Sequence, residues 1–306
     1  MPNDNLKHYL HLHVIVFIWG FTAILGALIS LDALPLVWWR MLIAVGLIFV
    51  YITFKKQSLS IKIRDILLLL LSGLIIAIHW FTFFKAIKIA NISITLACLA
   101  TGALFASFLE PLFNRTKLVW YELLFGLFVL VGLYFVLDAT EPNFIMNSLH
   151  SNISNTMLGA FIALISAFLS ALFSVINGQF AKRIQPTIIS FYELLGGLLF
   201  FTILLALNGQ FTVAFFTIRT EDLIWLFILA SICTAYAFIA SVGVMKYLSP
   251  YTVMLTINLE PVYGIALAVT IFEAKERMGI GFYIGASIIL ITVILNGLIR
   301  SRKKNK

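Results

Sequence analysis

Five ionisable side chains lie inside otherwise apolar stretches of this sequence, where a charge is expensive. They are Arg40, His79, Glu110, Glu193 and Glu260. An ionisable group inside a membrane helix costs roughly 2.5–3.5 kcal/mol on insertion scales, so such residues are functional candidates by default. The chemistry open to them is recognition of a charged substrate and the uptake or release of a proton.

Glu260 is the strongest of these candidates. It lies near the middle of an apolar stretch and is followed by Pro261. Proline removes a backbone donor, so a helix should kink or unwind there. A carboxylate beside a broken helix at mid-depth is suited to contact a substrate amine or to carry a proton. The alternative is a structural tie to Arg40 or to a hydroxyl group of a neighbouring helix.

Arg40 and His79 are expected at nearly the same depth. Arg40 stays charged and either binds a substrate carboxylate or anchors the bundle. His79 either binds a ligand, takes up and releases a proton as the protein works, or packs through a hydrogen bond. Glu193 should lie about 12 Å from Arg40 along the membrane normal, at 1.5 Å per helical residue, so no direct salt bridge between them is expected.

Residues near the predicted inner surface are candidates for a gate. Glu193 and Tyr192 lie near Lys182 and Arg183 in the sequence, which suggests an inner network of charges. Glu110 lies near the inner end of its stretch, where gating and simple solvation of a helix end are the two alternatives.

Patterns for cofactors and metals are missing from the sequence. It has no His-x-x-x-His pair, no cysteine pair and no Gly-rich Lys-Ser/Thr loop. We therefore expect no catalytic residues, no metal, no cofactor and no ATP-binding site. Cys98 and Cys233 lie in apolar runs and are expected to pack.

The elements that position these residues are predicted to be membrane helices. Of the 306 residues, 62% are hydrophobic and 11% are charged, against about 45–50% and 25% in soluble domains. A soluble protein of this size could not bury so much apolar surface, which excludes a soluble enzyme and a DNA-binding domain. At about 20 apolar residues per span, the sequence predicts ten spans, at about 12–30, 34–54, 66–87, 92–113, 118–137, 157–180, 187–207, 222–246, 252–272 and 279–299.

The basic residues predict how these spans are oriented. With the N-terminus inside, alternation assigns fifteen Lys and Arg residues to the inner side and five to the outer side. This threefold bias follows the positive-inside rule and places both termini in the cytoplasm. The net charge of +8 and the basic tail 301–306 are accordingly interpreted as contacts with the lipid bilayer, not with nucleic acid.

The spans divide into two sets of five. Residues 139–156 are rich in Asn and Ser and contain no Lys or Arg, so they are interpreted as an outer linker between 1–138 and 157–300. A shift of 159 residues superposes spans 3, 4 and 5 on spans 8, 9 and 10. Because five is odd, the second repeat would be inverted, an arrangement typical of carriers. A chance match of spacing is the alternative.

Several short motifs carry a family resemblance. They are Trp19-Gly20, Pro35 followed by Arg40, the stretch Asn258-Leu259-Glu260-Pro261-Val262-Tyr263-Gly264, and Glu273 with Gly285 downstream. Over about residues 12–299 the sequence resembles the EamA-type transporters of the drug/metabolite transporter superfamily. In the first repeat, Gly102 and Asn114 replace the proline and the acid that the family pattern leads us to expect.

The resemblance implies an all-α integral membrane carrier of ten helices, arranged as two inverted five-helix repeats around a central cavity. The first four helices of each repeat would line this cavity, and the fifth would lie outside as a brace or an oligomer contact. Trp19, Trp80 and Tyr236 lie on cavity helices and are site candidates, with core or lipid packing as the alternative. Asn258 is a buried amide that serves either the site or helix packing. Gly281 and Gly285 predict close helix contact within the bundle.

We therefore expect a multi-pass protein of the inner (plasma) membrane that acts as a secondary transporter, not an enzyme. It would export amino acids or related small polar metabolites by alternating access, with Glu260 central and His79 and Arg40 secondary. Its partners would be the small-molecule substrate, the lipid bilayer, and a proton or another coupling ion, in a monomer or homodimer. The alternatives are an importer of a nucleoside, S-adenosylmethionine or a sugar-phosphate, and, from another class, an intramembrane enzyme or a scaffold.

Overall fold

The computed structural model describes residues 2–114, 120–140, 154–248 and 250–304, and this part of the chain is helical without any strand. The first half contains α1 (Pro2–Leu28), α2 (Ala33–Phe54), α3 (Ile63–Ile89), α4 (Ile92–Leu99), α5 (Gly102–Asn114) and α6 (Trp120–Thr140). The second half contains α7 (Asn155–Phe180), α8 (Pro186–Leu207), α9 (Val213–Phe216), α10 (Thr220–Ala230), α11 (Ala237–Val244), α12 (Pro250–Ile257), α13 (Glu260–Phe272) and α14 (Ile280–Lys304).

Eight helical segments in the described residues are long and apolar enough to cross a membrane. They are Leu6–Leu28, Ala33–Phe54, Ile63–Ile89, Ile92–Phe113, Asn155–Phe180, Pro186–Leu207, Thr220–Val244 and Val253–Phe272. The predicted fifth and tenth spans correspond to shorter apolar helices, Leu124–Thr140 and Ile280–Asn296. The all-helical membrane architecture predicted from composition is therefore confirmed. Helices α1 and α14 extend beyond the predicted spans into polar sequence, because backbone hydrogen bonding continues where hydropathy falls.

The fourth and ninth predicted spans are each broken near the middle. A turn at Asn258 and Leu259 separates α12 from α13, and Pro261 occupies the first turn of α13, where its missing N–H costs nothing. This break was predicted from Pro261. A second turn separates α4 from α5 at Ala100 and Thr101, although no proline occurs there. The two breaks nearly coincide under the 159-residue shift.

The eighth predicted span contains a π-helical segment, Ser231–Tyr236, between α10 and α11. The hydroxyl group of Thr234 donates to the carbonyl of Leu229, five residues earlier, at 2.7 Å. A π-helical turn inserts an extra residue into the helical register and is frequent at functional sites. The apolar pattern of the span gave no indication of it.

Close packing of glycines joins helices that are distant in the sequence. At Gly73 on α3, an added Cβ would overlap the backbone carbonyl of Glu193 on α8, so only glycine permits this approach. At Gly285 on α14, an added Cβ would lie 2.5 Å from the carbonyl of Gly132 on α6. The close contact predicted from Gly281 and Gly285 is therefore confirmed within the chain, between α14 and α6.

Candidate functional site

A cavity of about 80 Å³ lies between helices from both halves of the chain. This volume holds several water molecules. Five residues proposed from the sequence line it together: Trp19, Arg40, His79, Trp80 and Glu260. The other lining residues are Thr22, Ile76, Phe83, Leu99, Ser170, Phe173, Ser174, Phe238, Ser241, Met245, Met254 and Ile257. The walls are thus mainly apolar, and a few charged and polar groups face inward, as in pockets for small molecules.

Arg40 on α2 is held at the edge of the cavity by an aromatic ring and a hydroxyl group. Only 1% of its surface is exposed. Its Nε donates to Oγ1 of Thr234 at 2.6 Å, and its Cζ lies 3.8 Å from the centroid of the Trp80 ring. Its Nη1 has no hydrogen-bond partner in the described residues. A buried guanidinium with an unused donor is suited to bind an anionic group.

Glu260 begins α13 directly after the break in the ninth span, and it is 7% exposed. It attracts Arg40 electrostatically, but within the described ranges no ion pair joins the two side chains at 4.0 Å or less. The structural tie to Arg40 considered for this residue is therefore not a direct salt bridge. The cavity instead holds a guanidinium and a carboxyl group that are not directly paired with each other.

His79 on α3 is oriented by Ser166 on α7. Its Nδ1 lies 2.9 Å from the backbone carbonyl of Ser166 and 2.8 Å from the serine hydroxyl, which itself lies 3.0 Å from the His79 carbonyl and donates to it. A carbonyl can only accept, so Nδ1 carries the hydrogen. In the neutral ring, Nε2 is then a hydrogen-bond acceptor. His79 can therefore accept a hydrogen bond from a group in the cavity.

Trp19 on α1 connects the cavity to the π-helical segment. Its Nε1 donates to the backbone carbonyl of Cys233 at 3.1 Å. Cys233 is buried, as is Cys98, and both are free thiols. Because Thr234 in the same segment holds Arg40, two cavity side chains are positioned by consecutive residues of the π-helix.

Two proposed site residues do not line this cavity. Tyr236 is 48% exposed, and its hydroxyl group lies 3.1 Å from Nε2 of His11. Tyr236 is the last residue of the π-helix, whose wider turn changes which side of the span each residue faces. Asn258 lies in the turn before α13 and is buried, and its Nδ2 has no hydrogen-bond partner in the described residues.

The gating candidates are distributed over separate places. Glu193 is completely buried and accepts hydrogen bonds from Ser72 and Asn177. The hydroxyl group of Tyr192 donates to the carbonyl of Leu59 at 2.9 Å. Glu110 is half-buried on α5.

The inner network of charges suggested for Glu193, Lys182 and Arg183 is not formed between these residues in the described part of the chain. Arg183 forms an ion pair with Asp65 at 2.7 Å, and Lys182 is exposed. Glu193 lies in the interface between α8 and α3. It is therefore out of reach of Lys182 and Arg183, and it forms no ion pair with either of them within the described ranges.

Comparison with known proteins decides the family. A profile of the EamA-like transporter family matches residues 6–138 and 157–298. The chain belongs to the EamA-like transporter family. The resemblance drawn from the short motifs is thereby confirmed, and the protein is a multi-pass membrane transporter of small molecules in a family that is not enzymatic. No curated protein is significantly similar to the chain.

A solved structure shares the fold of this EamA-like chain. A protein crystal structure superposes with a TM-score of 0.70 at 15% sequence identity, over 97% of this chain and 98% of that chain. At this identity the likeness concerns the fold alone. It extends over nearly the whole length of both proteins.

Several polar contacts of this EamA-like protein were not identified from the sequence. Asp222 accepts hydrogen bonds from the backbone N–H and the hydroxyl group of Ser30, at 2.8 and 2.5 Å. Glu276 accepts hydrogen bonds from the backbone N–H groups of Ile92 and Ser93 at the start of α4, both at 3.0 Å. Acids near helix ends are common, so no sequence signal marked these two as buried.

Groups that could hold a metal are also absent from the part of the chain that the structure describes. No cluster of three or more His, Cys, Asp or Glu side chains occurs there. Among the described residues that line the cavity, the groups that can carry a full charge at neutral pH are one guanidinium and one carboxylate. Such a pair is suited to binding a small molecule that carries charge.

Proposed function

We propose that this protein is a secondary transporter that exports amino acids or related small zwitterionic metabolites from the cytoplasm by alternating access. Residues 1–138 and 157–300 would form two inverted halves of five membrane helices each, with 139–156 as an outer linker and 301–306 as a cytoplasmic tail. Both termini would lie on the cytoplasmic side of the inner (plasma) membrane, and the protein would act as a monomer or homodimer.

The observation that carries the proposal is the pair of opposite charges in one cavity. Arg40 and Glu260 both line it, and the described residues offer neither of them an ion pair. A zwitterion would satisfy both groups, its carboxylate at Arg40 and its ammonium group at Glu260. His79 would accept a further hydrogen bond from the substrate through Nε2. The apolar side chains that line the cavity would contact the hydrocarbon part of the substrate.

The two broken helices support a central site reached from both sides. Discontinuous helices at corresponding positions of two repeats are typical of secondary transporters, whose substrate sites lie near the bilayer midplane. Here the breaks precede Gly102 and Glu260, and Glu260 lines the cavity. The match of two separate segments to one family profile supports the division into two repeats.

The charge of the cavity argues against a sugar-phosphate or a nucleoside as the substrate. A sugar-phosphate carries about two negative charges at neutral pH and would require more than one fixed cation. Arg40 is the cation among the described residues that line the cavity, where Glu260 would repel a phosphate. A nucleoside carries neither an ammonium group nor a carboxylate, so it would leave both the guanidinium and the carboxylate unmatched. S-adenosylmethionine carries an amino-acid group of its own, so these two charges would match it as they would match an amino acid.

The proposal is tested by ligand-induced stabilisation of the purified protein. Pooled amino acids should raise its melting temperature, because a ligand that binds only the folded state stabilises it. Matched amines without the carboxylate, and carboxylates without the amine, should raise it much less. Vesicles containing the protein should then release the stabilising amino acid under an imposed ion gradient. The proposal fails if phosphorylated sugars stabilise the protein and amino acids do not.

A further inference from the structure

We propose that Glu193 is a proton-binding site, separate from the groups that contact substrate, and that Asn177 and Ser174 connect it to the cavity. A role of this proton in driving transport rests on the proposed function, whereas the proton site itself does not. Glu193 lies on α8 where this helix meets α3 and α7, and its side chain is completely buried.

The contacts of the Glu193 carboxylate are hydrogen bonds from neutral groups. The Ser72 hydroxyl donates to Oε1 at 2.8 Å, and Nδ2 of Asn177 donates to Oε2 at 3.0 Å. In the described ranges, Glu193 has no cation within 4.0 Å. A buried charge without a counter-ion is strongly unfavourable, even when it is hydrogen-bonded. Binding a proton removes the charge without moving the helices.

The acidic and histidine side chains of α3 contact residues other than Glu193. On α3, Asp65 and His79 each lie seven residues from Ser72, about 10 Å along the helix. Asp65 pairs with Arg183, and His79 contacts Ser166.

The other elements packed against α8 provide no counter-ion either. Arg40 on α2 donates to Thr234, and Tyr192 on α8 itself donates to the carbonyl of Leu59. Helices α7 and α11 contain no titratable side chain. Burial disfavours the charged form of Glu193, whereas the hydrogen bonds from Ser72 and Asn177 favour it.

The amide of Asn177 can serve both protonation states. Its Nδ2 donates to the carboxylate, while its Oδ1 has no partner in the described residues. Uptake of one proton from water converts the carboxylate into a neutral carboxyl group, whose O–H needs an acceptor. Rotation of the amide by half a turn presents Oδ1 in that place. Release of the proton reverses both changes. A metal ion requires oxygen acceptors around it, whereas two donors already point at this carboxylate.

A polar path leads from the cavity toward Glu193. Ser174 lines the cavity, and its hydroxyl is buried without a hydrogen-bond partner in the described residues. Asn177 follows it by three residues on α7, so the two side chains share a helix face. The cavity is thus separated from the site by about one helical turn of α7, and a proton would enter or leave through Ser174 and Asn177.

Infrared spectroscopy of the purified full-length protein tests this site directly. During a pH titration, the carbonyl stretch of a protonated carboxyl group should appear in the wild type and lose one component in Glu193→Gln. The matched control Glu260→Gln should retain that component. If wild type and Glu193→Gln give the same spectra throughout the titration, Glu193 does not change protonation and the proposal is overturned.

A second variant keeps the test decisive if Glu193→Gln does not fold. Ser72→Ala retains the carboxyl group but removes one hydrogen bond, so the titration midpoint of the same component should shift by about half a pH unit or more. An unchanged midpoint contradicts the assignment. Failure of the proposed transport function would appear separately, as an absence of amino-acid flux in vesicles, and would not alter the infrared result.

Discussion

Glu193 and Glu260 are both buried carboxylates in the second half of the chain, but their surroundings differ. Glu193 lies where glycines bring α3 and α8 into contact, and two neutral donors hold it. Glu260 lies at a helix break, faces a cavity and shares it with Arg40. The comparison teaches that burial alone does not define a role. A carboxylate held within a tight interface can change its protonation, whereas one that faces a cavity can contact a ligand.

Replacing the cavity carboxylate should have the largest effect on substrate binding. Glu260→Gln removes the group proposed to bind the substrate ammonium, and loss of one partner of a buried charge pair costs about 30-fold or more in affinity. Glu193→Gln should leave equilibrium binding of the same amino acid nearly unchanged. Calorimetric titration of both variants measures the difference, with Tyr236→Phe as the control outside the cavity. Equal losses in the two glutamine variants would remove the distinction between the carboxylates.

Disturbing the close contact between α3 and α8 should reduce the stability of the protein more than its affinity for substrate. Gly73→Ala would force a methyl group against the backbone of Glu193, and overpacking of this kind costs about 1–3 kcal/mol. Gly46→Ala is the matched control, because nothing lies within 4 Å of the added Cβ there. Thermal unfolding followed by circular dichroism should show a lower midpoint for Gly73→Ala alone. A midpoint equal to that of the control would mean that the two helices separate easily.

Changing the shape of the cavity cation should have the smallest effect. Arg40→Lys preserves the charge but loses the planar stack on Trp80 and the bond from Nε to Thr234. We expect binding of an amino acid to weaken about tenfold, while binding of the matched amine changes little. Arg219→Lys is the control, since Arg219 forms an exposed ion pair with Glu221. If binding of the matched amine weakens as much as binding of the amino acid, Arg40 acts through the fold and not through contact with the substrate carboxylate.

Much of the fold and part of the site were predictable from the sequence. Hydropathy located the membrane helices, and the proline at position 261 located one helix break. Of the five ionisable residues found within the spans, Arg40, His79 and Glu260 line the cavity, because a costly ionisable group in a membrane helix is usually kept for a function. The break before Gly102 and the π-helix at Ser231–Tyr236 were not predictable, since neither contains a proline and both consist of residues common in ordinary helices.

The residues missed at the site are mainly small hydroxyl-bearing ones. Thr234, Ser166 and Ser72 orient Arg40, His79 and Glu193, respectively. Serine and threonine are tolerated throughout membrane helices, where they often bond to their own backbone. A serine or threonine in the sequence therefore does not indicate a site residue, because its partner on a neighbouring helix is known only from the structure.

The amino-acid sequence by itself determined that this protein is a bundle of membrane helices and which of its side chains are too polar for lipid. Hydropathy and backbone chemistry are properties of short segments, so they can be recognised along the chain. Only the tertiary structure decided which of those side chains meet. Arg40 and Thr234 are separated by 194 positions in the sequence, and their contact depends on how close each pair of helices can approach. That approach is set by packing at sites such as Gly73, where a single added carbon would not fit.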